Sequence, residues 1–171
     1  RGVRIDFSAD GETATAVGDV VIAQENMISR CDSAVFFNRD ERAILLGSPV
    51  MEEGERHITG ERMEIDFRED RVRRLLVAGD ALAEWRHEDR TLQGERKSSM
   101  LSGDRIRFLF DDDELRTIVV VGNARSVFYP EESRKIDEVN TIDGDRITLT
   151  VEEEKFNRVF VQGDAAGVYS Y

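Results

Sequence analysis

Residues 60–81 read GERMEIDFREDRVRRLLVAGDA, and the same pattern returns as GDRIRFLFDDDELRTIVVVGNA over residues 103–124 and GDRITLTVEEEKFNRVFVQGDA over residues 144–165. Each copy opens on a glycine and carries a second nineteen positions later, at Gly79, Gly122 and Gly163. Counted from the first glycine, offsets three, five and seven are apolar: Met63, Ile65 and Phe67; Ile106, Phe108 and Phe110; Ile147, Leu149 and Val151. The residues between them are mostly charged or hydroxylated. A period of two marks a strand with one buried face. A short acidic turn follows in each copy (REDR, DDDE, EEEK), then a return strand with Leu75 and Val77, Ile118 and Val120, or Val159 and Val161. Recurrence of this unit predicts stacked β-hairpins rather than an enzyme built around a cleft.

The return strand continues past its glycine. Ala81, Ala83 and Trp85 keep the parity of Leu75 and Val77, as do Ala124, Ser126 and Phe128, and Ala165, Gly167 and Tyr169. A bulge at the glycine would turn these residues outward. Glycine there permits a positive φ or a close strand crossing, and the Asp or Asn after it supports the bend. Two weaker copies come earlier. GVRIDFSADGETATAVGDVVI (residues 2–22) has Val3, Ile5 and Phe7, a turn near residues 9–11, and Gly18; CDSAVFFNRDERAILLGSPV (residues 31–50) has Ala34, Phe36 and Gly47. The expectation is an all-β chain of about five strand-turn-strand modules and at least ten strands. It forms one domain over residues 1–171, with polar insertions near 86–102 and 131–143. Pro49 and Pro130 fall at strand ends, where a missing donor is tolerated.

Composition excludes several classes of function. The net charge of -12 disfavours nucleic acid, which selects a basic footprint, and it disfavours attachment to an anionic membrane by charge. The single cysteine, Cys31, allows no internal disulfide framework. No apolar run is long enough for a transmembrane helix. The chain starts at Arg1 rather than Met, as a mature or trimmed chain would.

Sites for chemistry are sparse. His57 and His87 are far apart and have no partner at metal-ligand spacing. Cys31 has only Arg30 beside it, and Ser33, Ser98 and Ser99 sit in no nucleophile motif. The runs Asp111–Glu114 and Glu152–Glu154 read as solvated acidic turns rather than a cation site. Asp66 and Glu84 are an example of carboxylates that would have to face each other for glycoside hydrolysis, and nothing singles out that pair. The expectation is no catalysis, no cofactor and no metal.

The serial endings Gly18-Asp19-Val20, Gly79-Asp80-Ala81, Gly122-Asn123-Ala124 and Gly163-Asp164-Ala165, with segments such as HITGERMEIDFREDRVRRLLVAGDALAEW (residues 57–85), resemble the OstA-like family. These are periplasmic lipopolysaccharide-transport proteins of the LptA and LptC type, with the N-terminal domain of the outer-membrane translocon protein LptD as a relative. The resemblance spans roughly residues 3–169. It implies a twisted open β-jellyroll of two facing antiparallel sheets, with an apolar interior that takes lipid acyl chains. It also implies a periplasmic location and end-to-end assembly by edge-strand pairing. The partners it implies are lipopolysaccharide or a related lipid, other β-jellyroll transport components or the chain itself, and membrane-anchored proteins.

On that reading the groove candidates are Ile65, Phe67, Val77, Trp85, Phe108, Phe110, Val120, Phe128, Leu149, Val161 and Tyr169. A lipid trough and a dry core share their wall, so each is equally a core position. Gly18, Gly47, Gly79, Gly122 and Gly163 are structural. Small residues at Ala81, Ala83, Ala124, Ser126, Ala165 and Gly167 leave lateral room. The acidity of the chain does not invite phosphorylated headgroups unless Arg62, Arg105, Arg107 and Arg146 gather at a rim or divalent ions bridge. Two other functions fit the same strands: a structural module pairing by its edges, and a carbohydrate-binding jellyroll with Trp85, Phe128 or Tyr169 on a shallow exposed face.

Overall fold

The computed structural model describes residues 3–24, 26–90, 96–129, 139–152 and 155–170. Among them are thirteen strands and no helix. They are β1 (Arg4–Phe7), β2 (Thr13–Gln24), β3 (Met27–Phe37), β4 (Arg42–Leu46), β5 (Val50–Glu53), β6 (Arg56–Thr59) and β7 (Arg62–Arg68). There follow β8 (Arg71–Arg90), β9 (Arg96–Asp111), β10 (Glu114–Phe128), β11 (Val139–Glu152), β12 (Lys155–Gln162) and β13 (Ala166–Ser170). Of the two polar insertions, residues 91–95 and 131–138 lie outside the described residues, as does Pro130.

All pairs are antiparallel, and all strands join one hydrogen-bonded system. Its main path runs β1-β2-β3-β4-β7-β8-β9-β10-β11-β12. Six strands close on themselves: β3 pairs with β4 and β5, β4 with β7, β5 with β6, and both β6 and β7 with β8. The long strands change partner, or slip register, near their middles. In β3, residues 33–37 pair with β4 and residues 27–30 with β5. In β8, residues 71–78 pair with β7 and residues 82–85 with β6. The pairings thus form two ladders, one on each side of the bends. Both feed one apolar cluster, with Ile65, Val77, Ile106 and Val120 from the first ladder and Val20, Met51, Ala83 and Leu101 from the second.

The bends explain which residues turn inward. Along β8, Leu75, Val77, Ala81 and Ala83 are all buried, so Gly79 does not reverse the strand's faces. The reversal falls on the partner strand. In β9, Ile106 and Phe108 are buried on one side of the bend, and Leu101 and Ser99 on the other. That change of parity occurs at Gly103, which pairs with Ala81. A Cβ on Gly103 would lie 2.7 Å from Val120 Cγ1 and 2.9 Å from the Gly122 carbonyl oxygen, so the strands cross there at a distance only glycine allows. The opposing corner needs a different property. Gly122 has φ +76° and Asn123 has φ 48°, and Asn123 Nδ2 donates to Asp104 Oδ1 at 3.0 Å. Positive φ also occurs at Gly18, Gly47, Gly79 and Gly163.

A second irregularity recurs at the start of each return strand. Register slips by one residue at Arg73, Arg116 and Asn157, each thirteen positions after its module's first glycine. Val72, Leu115 and Phe156 consequently pack on the core although their parity opposes that of Leu75, Ile118 and Val159. Two of the acidic turns are two-residue hairpin loops with positive φ at both positions: Glu69 and Asp70 at 53° and 63°, Asp112 and Asp113 at 48° and 63°. That is the turn whose twist matches paired strands.

At the N-terminal end the apolar positions of the first copy are not covered. Val3, Ile5 and Phe7 are exposed, Phe7 at 73%. Among the described residues β1 pairs only with the first half of β2, and its apolar side is left uncovered.

Candidate functional site

Between the C-terminal ends of the two ladders lies an apolar cavity of about 410 Å³. Trp85, Leu101, Phe128 and Ile142 reach it from the second ladder, and Leu149 and Phe156 from the first. The three aromatic rings form one cluster. Phe156 meets Trp85 edge-on at 5.9 Å between centroids and Phe128 at 5.6 Å. Ser99, Ser126 and Gly167 are the small residues in the wall, and exposed Val159 and Val168 stand at its edge. Ser99 is already engaged, since its Oγ accepts the Tyr129 backbone N–H at 3.1 Å. The volume lies in the range of ligand pockets. At roughly 30 Å³ per small group it has room for about a dozen methylenes.

The groove candidates divide by position. Trp85, Phe128 and Leu149 line this cavity. Ile65, Val77, Phe108 and Val120 are buried in the core, with Phe67 and Val161 packed against it. Phe110 borders a second cavity of about 500 Å³, lined from turns of both ladders, where Glu53, Glu69, Asp70 and Asp113 make the wall polar. Tyr169 belongs to β13 and pairs with Asn140, and its side chain is outside the described residues. Of the small residues, Ser126 and Gly167 border the apolar cavity, whereas Ala81, Ala83 and Ala124 are core.

Phe156, Leu101 and Ile142 were missed by parity counting along single strands. The one-residue slip at Asn157 brings Phe156 inward, and the reversal at Gly103 does the same for Leu101. A signal for the first was present, because the position twelve after each module glycine is apolar in all three copies: Val72, Leu115 and Phe156.

The polar residues considered for chemistry do not converge. Asp66 pairs with Arg74 Nε at 2.6 Å, and Glu84 with Arg86 at 3.4 Å on the other ladder. His57 Nδ1 lies 3.6 Å from Glu52 at the β5–β6 turn. No group of three or more metal-ligating side chains occurs among the described residues. Cys31 is buried, and loss of hydration pushes its thiol pKa up, opposite to what a nucleophile needs. The arginines do not gather at the cavity. Arg62, Arg105 and Arg146 share one cross-strand row on the outer face of the first ladder, with Arg107 in the next row.

No protein-family model matches the sequence, and no curated protein matches it. Among solved structures, the chain is similar to the crystal structure of LptH from Pseudomonas aeruginosa. That protein is described as the LptA-homologous periplasmic component of the conserved lipopolysaccharide transport device. The TM-score is 0.62 at 15% identity, over 85% of this chain and 95% of that one. At that identity the likeness is one of fold: this chain shares the all-β architecture of an LptA-like periplasmic protein.

Proposed function

We propose that this chain is a non-catalytic periplasmic carrier of an amphipathic lipid, lipopolysaccharide or a similar molecule, on its way to the outer membrane. In this reading the two ladders are the facing sheets of a twisted open jellyroll of about five modules. Acyl chains enter the apolar space at its C-terminal end, and the headgroup remains in water. The observation that carries the proposal is the cavity around Trp85, Phe128 and Phe156, which offers apolar area and little directed chemistry. Each methylene moved there from water contributes about 0.8 kcal/mol, so a partly inserted chain suffices for binding. The fold likeness to a protein described as part of a lipopolysaccharide transport device supports the same reading. The core candidates Ile65, Val77, Phe108 and Val120 then form the floor that holds the groove open.

Pairing with other jellyroll components, a membrane-anchored partner among them, or with further copies of the chain is part of the proposal. Exposed apolar residues favour it at both ends of the strand path: Ile5 and Phe7 on β1, Phe160 on β12 and Val168 on β13. The carbohydrate reading is less well served, because Trp85 and Phe128 pack edge-on against Phe156 instead of forming a shallow platform.

Native mass spectrometry with lipid A tests binding. A Cβ at Gly167 meets only the Thr141 carbonyl oxygen, at 3.8 Å, so Gly167→Leu takes up about a third of the cavity at little cost to the fold. The expected result is a saturable adduct with wild type, retained by Glu69→Gln at the polar cavity and clearly weakened in Gly167→Leu. An adduct of equal strength in Gly167→Leu, or none with folded wild type, contradicts the proposal.

A further inference from the structure

The outer face of the first ladder carries a positive cluster that the interior site does not use. Arg105 and Arg146 flank Val121 on the two strands that pair with β10. Arg107 lies two positions along β9 and is paired across to Val119. Strand spacing puts the Arg105 and Arg146 backbones about 10 Å apart, and those of Arg105 and Arg107 about 7 Å apart. Guanidinium groups on side chains of that length can meet over one small anion. A recess of about 210 Å³ lies among them, lined by Leu76, Arg105, Arg107, Val119, Val121 and Arg146. That is roughly seven water volumes.

The charges here are unbalanced locally. Two other arginines on this face are neutralised, Arg62 by Glu64 at 2.7 Å and Arg74 by Asp66 at 2.6 Å. Arg105, Arg107 and Arg146 form no ion pair or hydrogen bond with other described side chains. Asp104, the acid beside Arg105, is turned to the corner, where it lies against Gly122 and accepts from Asn123. The floor is dry: Val119 faces outward by parity yet is only 6% exposed among long side chains. In a chain of net charge -12, three arginines without an ion pair to a described side chain, set around an apolar floor, leave a local positive potential that carboxylate partners would otherwise cancel.

We propose that this recess is an oxyanion site that takes a phosphate group. Guanidinium forks match phosphate in bidentate geometry, and the apolar floor weakens competition from water. The site is on the outside of the fold and stands whether or not the interior holds lipid. Free phosphate and a phosphorylated headgroup present the same chemistry, and they are told apart by the test.

The full chain, labelled with 15N, is titrated with inorganic pyrophosphate at low salt while the arginine Nε–H resonances are followed. The expected result is saturable shifts confined to Arg105, Arg107 and Arg146. Affinity should fall about tenfold or more in Arg105→Gln and in Arg146→Gln, and less than twofold in Arg158→Gln, which lies two rows away on the same face. Arg105→Lys keeps the charge and loses the fork, and it should still lose several-fold. Flotation with phosphatidylglycerol vesicles, against phosphatidylcholine vesicles, identifies the source. Vesicle binding that pyrophosphate displaces assigns a lipid headgroup, and pyrophosphate binding without flotation assigns a soluble anion. No saturable response to either probe, or a response unchanged in both glutamine variants, overturns the proposal.

Discussion

Replacing Gly103 by alanine tests the crossing that sets the inward face of β9. Its φ is not in the left-handed region, so alanine meets no backbone penalty, and the loss of chain entropy in the unfolded state would by itself stabilise the protein by about 0.4–1 kcal/mol. Packing opposes this. The new methyl would lie 2.7 Å from Val120 Cγ1 and 2.9 Å from the Gly122 carbonyl oxygen, and Val120 is fully buried. The carbonyl belongs to the bent corner and cannot swing away as a side-chain tip would. Overpacking of this kind costs about 1–3 kcal/mol, leaving a net loss of about 1–2 kcal/mol. For a chain of 171 residues that is a fall in Tm of about 2–8 °C.

The same substitution at Gly144 meets Val161 Cγ1 at 2.7 Å and a carbonyl oxygen at 3.2 Å, and Val161 is only half-buried and free to give. Its cost should stay below about 0.5 kcal/mol. Urea unfolding of Gly103→Ala, Val120→Ala and the double variant isolates the steric part. The double should be about 1 kcal/mol more stable than the two single losses predict. Additivity within about 0.3 kcal/mol, or a stabilised Gly103→Ala, would refute the reasoning.

Three further outcomes follow from local geometry. Asp113→Gly should stabilise by about 0.5–1 kcal/mol, because residue 113 holds φ 63° in a two-residue turn and its ion pair with Arg71 is solvent-exposed; urea midpoints decide this. Cys31 should resist a thiol reagent at pH 8 in the folded protein and react fully in urea, since it is 7% exposed and burial raises its pKa; rapid native labelling contradicts that placement. The Glu52 carboxyl titrates below its ordinary value of 4.5, chiefly because Arg30 donates a hydrogen bond to it. A folded-state pKa below the unfolded one means that the stability from this contact is present above the unfolded pKa and is lost as pH falls through the folded one. Carboxyl NMR should therefore show a lowered midpoint that returns toward 4.5 in Arg30→Gln, with a shallower loss of stability in acid.

Much of the fold was legible because the module repeats. Period-two runs located the strands, and the spaced glycines located the bends. The reading failed where one strand inserts a residue relative to its neighbour, because a single sequence shows a bulge only through its effect on parity. Ala81, Ala83 and Trp85 keep their faces because β8 and β9 divide the distortion: β8 takes the extra residue, and β9 reverses at Gly103. Leu101, within what looked like a polar insertion, is core for that reason. Ile5 and Phe7 show the opposite error. Their alternation is that of a buried strand, but they lie on an edge, and edges are a property of the assembled sheet that no local pattern records. The cavity depends on three rings from three separate modules, and only Trp85 and Phe128 fell on the parity being counted.

The central claim is that an acyl chain occupies the space beside Trp85, the single tryptophan of the chain. Its fluorescence is therefore a direct probe. Lipid carrying bromine along its acyl chains, a contact quencher, would be titrated into wild type and Gly167→Leu, with non-brominated lipid as reference. Saturable quenching by the brominated lipid alone, weakened in Gly167→Leu, is the predicted result. Binding detected by mass with Trp85 emission unchanged would contradict the account.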